Sequence, residues 1–307
     1  MNNSIINDIL SKYESDNEKT LNNLSKLLNF GKLGGTGKLV ILPVDQGFEH
    51  GPDRSFSMNP DSYDPHYHVS LAVEAGLSAF AAPIGMIEAG ASTFKDKIPF
   101  ILKCNSSDSF TNIKDQAITA NIHDALRLNC IGVGFTIYPG SEFNFRLIKE
   151  ACQLFHEAKK VGLICVLWSY ARGSMSKKGE TAINVISYAA HLAALCGAHV
   201  IKVKLPTSYL EDNSTKEVFI SNNIKINTPT DRVKHIKKSC FNGRRIVVFS
   251  GGEAKNDEDL INEIKAINDG GGNGSIIGRN SFQRSRDKAL DLLNKIISIY
   301  KQLKNEN

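Results

Sequence analysis

Apolar runs of strand length recur eight times between residues 38 and 278, and helical patterns separate most of them. The runs occupy 38–44, 77–84, 99–104, 130–138, 162–170, 199–205, 245–250 and 274–278. Helical patterns occupy 117–128, 142–160 with Ser141 as the expected N-cap, 181–196 ending at Gly197, 230–239, 257–268 and 281–303. Strand then helix, repeated, predicts a parallel sheet covered by helices, and strands apolar almost throughout fit a sheet buried on both faces. Eight such units over about 270 residues have the size of a (β/α)8 TIM barrel. An open doubly wound sheet would carry a glycine-rich phosphate loop after its first strand. Here the first strand runs into Asp45-Gln46-Gly47-Phe48-Glu49-His50-Gly51-Pro52, which has no such loop.

Residues 1–37 stand outside this rhythm. They are polar, with Ile5, Ile6, Ile9 and Leu10, then Leu21, Leu24, Leu27 and Leu28, at helical spacing. The expected organisation is an N-terminal helical extension over 1–37 and a barrel over 38–307. The hydrophobic share of 41% allows a sizeable core. A net charge of +5 with dispersed lysines suits an anionic small molecule and argues against nucleic acid. The six cysteines form no Cys-x-x-Cys pair, which argues against a zinc ribbon and for a reducing compartment. The N-terminus lacks a secretory pattern and no apolar run approaches the ~18 residues of a membrane span, so a cytoplasmic protein is expected.

Active sites of barrels lie at the carboxyl ends of the strands, so polar residues there are the candidates. The sixth run, Gly197 to Pro206, carries Lys202 and Lys204 inside an apolar strand. Alternation puts both amines on one face, with Ile201, Val203 and Leu205 on the other. One reading is an edge strand with two solvated lysines. The other is a desolvated lysine beside a second positive charge, with its pKa lowered, able to attack a carbonyl carbon and form a Schiff base. The first strand ends at Asp45, the fifth at Trp168 and Tyr170 with Arg172 after them, the seventh at Ser250-Gly251-Gly252 and the eighth at Gly278-Arg279. The last two form a phosphate-like signal: glycine backbone N–H groups and a guanidinium. Trp168 and Tyr170 equally suit a core, and Asp45 a turn cap. Glu49, His50, His66 and His68 are metal-binding residue types without a metal-binding spacing. Together these parts point to Schiff-base chemistry on a phosphorylated carbonyl compound, with no cofactor and no metal.

Several motifs, in order from about residue 38 to 284, resemble the class I fructose-bisphosphate aldolases of the bacterial and archaeal (DhnA-like) type. They are Val44-Asp45-Gln46-Gly47-Phe48-Glu49-His50-Gly51-Pro52, Tyr63-Asp64-Pro65-His66-Tyr67-His68, Ile137-Tyr138-Pro139-Gly140-Ser141-Glu142, Leu167-Trp168-Ser169-Tyr170, Ile201-Lys202-Val203-Lys204, Ser250-Gly251-Gly252 and Gly278-Arg279-Asn280. The resemblance implies a metal-independent barrel that reversibly cleaves fructose 1,6-bisphosphate to dihydroxyacetone phosphate and glyceraldehyde 3-phosphate. It makes Lys202 the Schiff-base lysine, Lys204 its charged neighbour, Tyr170 the acid/base and Trp168 part of the same wall. Asp45 orients the substrate hydroxyls, and Ser250, Gly251, Gly252, Gly278 and Arg279 hold the phosphate next to the ketone. It also implies a large homo-oligomer. Gln46 departs from a family histidine and Ala171 from a family proline. A related barrel enzyme, of Schiff-base or acyl-transfer type and acting on another phosphorylated carbonyl compound, is the alternative. A catalytically idle barrel that binds a phosphorylated ligand is the reading from another class.

Overall fold

The computed structural model describes residues 3–250 and 256–302. Eight parallel strands close into a barrel in chain order. They are β1 (Leu39–Pro43), β2 (Ala79–Ala82), β3 (Phe100–Lys103), β4 (Gly132–Ile137), β5 (Ile164–Ser169), β6 (Val200–Lys204), β7 (Ile246–Ser250) and β8 (Gly274–Ile276). β8 closes on β1 with Leu39 opposite Gly274. A Cβ on Gly274 would overlap the Leu39 carbonyl, so only glycine permits that seam.

The helices in chain order are α1 (Asn3–Leu10), α2 (Glu18–Asn29), α3 (Gln46–Phe56), α4 (Pro65–Ala75), α5 (Ile84–Gly90), α6 (Ile122–Arg127), α7 (Asn144–Val161), α8 (Ile183–Leu195), α9 (Asn213–Ser221), α10 (Pro229–Ser239), α11 (Asp257–Asp269), α12 (Arg279–Phe282) and α13 (Arg286–Lys301). Period-two alternation splits each strand between two cores. Val40, Leu42, Leu167, Ile201, Val203 and Phe249 face outward into the cluster shared with the helices. Leu39, Ile41, Val166, Trp168, Val200 and Val248 face inward. Leu24, Leu27 and Leu28 of α2 join that inner cluster and close the amino-terminal end of the barrel. Each fully buried leucine contributes about 2 kcal/mol of transfer free energy. Tyr13 pins the same end: its hydroxyl donates to the His199 carbonyl at 2.7 Å and accepts the Ile246 N–H at 3.0 Å.

The structure departs from the sequence reading at several helices. Residues 117–128 are not one helix. Ala117–Ile118 pairs antiparallel with Asn105–Ser106, and α6 starts only after Asn121. The Asn121 side chain accepts the N–H groups of His123 and Asp124 and fixes the helix start there. α7 begins after Phe143 without a side-chain cap, so Ser141 does not serve as its N-cap. The stretch 281–303 divides into α12 and α13. α3 and α4 form between the first two strands, where no helical pattern was read from sequence. Gly51, at φ 75°, breaks α3, and Pro65 sits in the first turn of α4 after the cap Asp64, where a missing N–H costs nothing.

Candidate active site

The carboxyl ends of the strands open on a cavity of about 610 Å³. It is lined by Asp45, Glu49, Tyr138, Trp168, Tyr170, Arg172, Lys202, Lys204, Ser250, Gly278 and Arg279, among others. Of the ten site residues expected from sequence, eight therefore converge on one space. Gly251 and Gly252 lie outside the described residues.

Lys202 stands at mid-strand on β6, register-paired with Trp168 of β5 and Val248 of β7. Its side chain is 6% exposed. Nζ lies 5.5 Å from the Trp168 ring centroid and 5.6 Å from that of Tyr170. The amine is pushed down to about 8, first by burial. Asp45 and Glu49 pull it up, and Lys103 and Arg279 push it further down. A tenth of such groups would be free amine near pH 7, which is ample for attack on a carbonyl.

Lys204, two residues on, lies 3.8 Å from a Glu180 oxygen. The same oxygen receives Arg172 at 3.1 Å and Lys177 at 3.2 Å. Lys103 and Arg279 are thus positive charges bearing on Lys202 that the sequence reading, which named Lys204, did not name, and Lys204 itself lies against Glu180. Lys103 was missed from sequence. It ends β3 at 3% exposure, inside an apolar strand, which is the same signal that drew attention to Lys202. Burial lowers its pKa as well, against Asp45 and Glu49.

Asp45 precedes α3 but makes no capping hydrogen bond. Its carboxylate lies 4.0 Å from Lys103 Nζ instead, so the turn-cap reading does not hold. Glu49, one turn into α3, lines the cavity, and its carboxyl is raised by burial and then by Asp45. It was noted from sequence only as a metal-binding type. Of the other members of that group, His50 lines the same cavity with its Nε2 3.8 Å from the Glu49 carboxyl, whereas His68 bonds the Ser62 carbonyl and His66 the Ala89 carbonyl. Tyr170 is held well above its usual range by burial, then by Glu49 and Asp45, so its phenol is a proton donor at neutral pH. Arg172 stacks 5.9 Å from its ring. The Trp168 ring fills space left by Gly134, where a Cβ would overlap it. Ser250 and Gly278-Arg279 meet at the adjacent ends of β7 and β8. The site therefore pairs a nucleophilic amine with a carboxylate, a carboxyl, a phenol and a cationic glycine-bearing rim.

A family model for the DeoC/LacD family aldolases matches residues 39–284. The chain is similar to a Chlamydia muridarum protein named "Probable fructose-bisphosphate aldolase class 1", with 36% identity over 301 residues, 94% of this chain and 86% of that one. It is 33% identical over 250 residues to the fructose-bisphosphate aldolase class 1 of Thermoproteus tenax, covering 81% and 84% of the two chains. Among solved structures, an archaeal fructose-1,6-bisphosphate aldolase has its catalytic lysine covalently bound to the carbinolamine intermediate of its substrate. It superposes with a TM-score of 0.73 at 30% identity, over 90% of this chain and 98% of that one.

Proposed function

The chain belongs to the DeoC/LacD aldolase family, and from that premise we propose that it is a class I fructose-bisphosphate aldolase with Lys202 as its Schiff-base residue. The carrying observation is the Lys202 amine, buried at the carboxyl end of β6 and lowered to about 8, in a cavity that also holds proton donors and acceptors. The unprotonated amine attacks the C2 ketone of fructose 1,6-bisphosphate. The carbinolamine loses water to give an iminium. A base then removes the C4 hydroxyl proton, the C3–C4 bond breaks, and its electron pair flows to the iminium nitrogen. Glyceraldehyde 3-phosphate leaves. The enamine takes a proton at C3, and hydrolysis returns dihydroxyacetone phosphate and the free amine.

Tyr170 is the acid/base at these proton transfers, and Asp45 orients the hydroxyls beside the scissile bond. Trp168 walls the carbon chain. Ser250, Gly251, Gly252, Gly278 and Arg279 hold the phosphate next to the ketone, where backbone N–H groups and a guanidinium suit a dianion. Lys204 contributes positive charge at the mouth. Sodium borohydride with dihydroxyacetone phosphate tests the reading. A reduced adduct is expected on Lys202 by peptide mapping and is lost in Lys202→Met. An adduct that persists in the variant, or activity lost to EDTA and restored by a metal, overturns it. If other phosphorylated ketones trap better, the related-enzyme alternative holds.

The finer expectations on assembly and location also belong to this proposal. Exposed Phe145 on α7 and Tyr188 and Leu195 on α8 support a homo-oligomer, which sedimentation velocity would reveal. Free cysteines throughout the described residues support the cytoplasm, which cell fractionation would check. No helix among the described residues is long and apolar enough to cross a membrane.

A further inference from the structure

Three lysines reach the upper interior of the barrel, and what surrounds each amine distinguishes them. Lys204 lies against Glu180. Lys103 donates to the Asn105 backbone carbonyl and, at 3.2 Å, to its Oδ1, and it stands 4.0 Å from the Asp45 carboxylate. Asn105 is itself fixed to β4: Nδ2 donates to the Thr136 carbonyl at 2.8 Å and Oδ1 accepts the Thr136 N–H at 2.7 Å. Lys202 faces aromatic rings instead. Lys103 shares one of them, its Nζ lying 5.7 Å from the Trp168 centroid.

A buried ammonium requires oxygen acceptors; a free amine does not. Two oxygens and a carboxylate hold a cation more firmly than ring faces do. We propose that Lys103 is a positioning residue for the reaction: it carries the fixed positive charge of the site, holds the Asp45 carboxylate in place, and leaves the free amine to Lys202. The proposal rests on the aldolase reading of the cavity and names what selects one lysine as nucleophile.

Other charges also face Lys202. Asp45 and Glu49 approach from the β1 end and α3, Tyr170 from β5 and Arg279 from beyond β8. Lys204 follows on its own strand. Removing Lys103 takes away a like charge and leaves Asp45 and Glu49 less compensated, and both changes favour a protonated Lys202.

The test follows borohydride adduct yield on Lys202 across a pH series. In Lys103→Met the midpoint is expected to move up by about one pH unit. At pH 7, kcat/KM falls about tenfold and is regained as pH rises, while Lys103→Arg returns the midpoint toward wild type. A Lys103→Met midpoint equal to that of wild type overturns the proposal. A purely structural role would lower activity equally at every pH, which overturns it too. Should Lys103→Met fail to fold, reductive methylation of wild type with formaldehyde and cyanoborohydride decides. Lys202 is expected to titrate at lower pH than Lys103, and the reverse order overturns the assignment. Restricted access of the reagent slows each reaction, whereas the midpoint follows the pKa of the amine. A wild type that forms no adduct with any phosphorylated ketone sinks the aldolase reading instead, and the methylation order still decides between the lysines.

Discussion

Lys202 is expensive to the fold that holds it. Its folded pKa of about 8 lies below the ~10.4 of an unfolded lysine. Between those values the unfolded chain binds more protons, so stability rises with pH across that window and the full destabilisation is present below it. Lys202→Met is therefore expected to be inactive yet more stable at pH 7, by on the order of 3 kcal/mol. Chemical denaturation at pH 7 and pH 10 checks both parts: the gain over wild type shrinks at the higher pH. Equal stability at pH 7 would mean the ammonium is compensated in the fold. That Lys202 faces the barrel interior was legible because period-two alternation in an apolar strand leaves a lysine little choice of direction. Lys103 carried the same local signal but stood one residue from the end of its run, where a charge normally reaches solvent. Nothing in sequence shows that Asn105, bonded across to β4, roofs it over.

At the scale of elements, the eight strands were readable and four of the helices were not. The strands are apolar on both faces, and that pattern survives any local detail. α3, α4, α5 and α9 are short, and glycine, proline and the capping Asp64 break or bound the first two. Their helicity depends on docking against the barrel, which no local propensity records. Glu49 shares that fate, since its place in the cavity follows only once α3 exists. Strand contacts also set the site's wall. Gly134 faces Trp168, and Gly134→Ala is expected to displace the indole. Because Trp168 is the only tryptophan of the chain, its emission would shift. A displacement of about 1 Å at such a wall costs roughly 100-fold in kcat/KM. Unchanged emission with full activity would show that the ring can step aside.

For the whole molecule, the N-terminal helices and the barrel share one interior. Leu24, Leu27 and Leu28 pack among Leu39, Ile41, Val166 and Val200, far in sequence and adjacent in space. Leu27→Ala is expected to cost about 2–5 kcal/mol. Urea unfolding followed by Trp168 emission and by far-UV circular dichroism should then shift together; if the Trp168 transition stays put, the helices are an independent attachment. The amphipathic spacing of residues 5–28 showed that these helices exist, whereas their seat at the barrel's amino-terminal end is a long-range pairing beyond any periodicity. That seat also governs traffic. A barrel stoppered at one end by α2 and Tyr13 is a cul-de-sac, with the cavity mouth as both entrance and exit. The aldehyde half of a cleaved sugar must leave past the place where it entered, while the other half is still tethered to the strand below. Departure is thus ordered by architecture as well as by the covalent bond, and in the direction of synthesis the ketone must be seated before the aldehyde arrives.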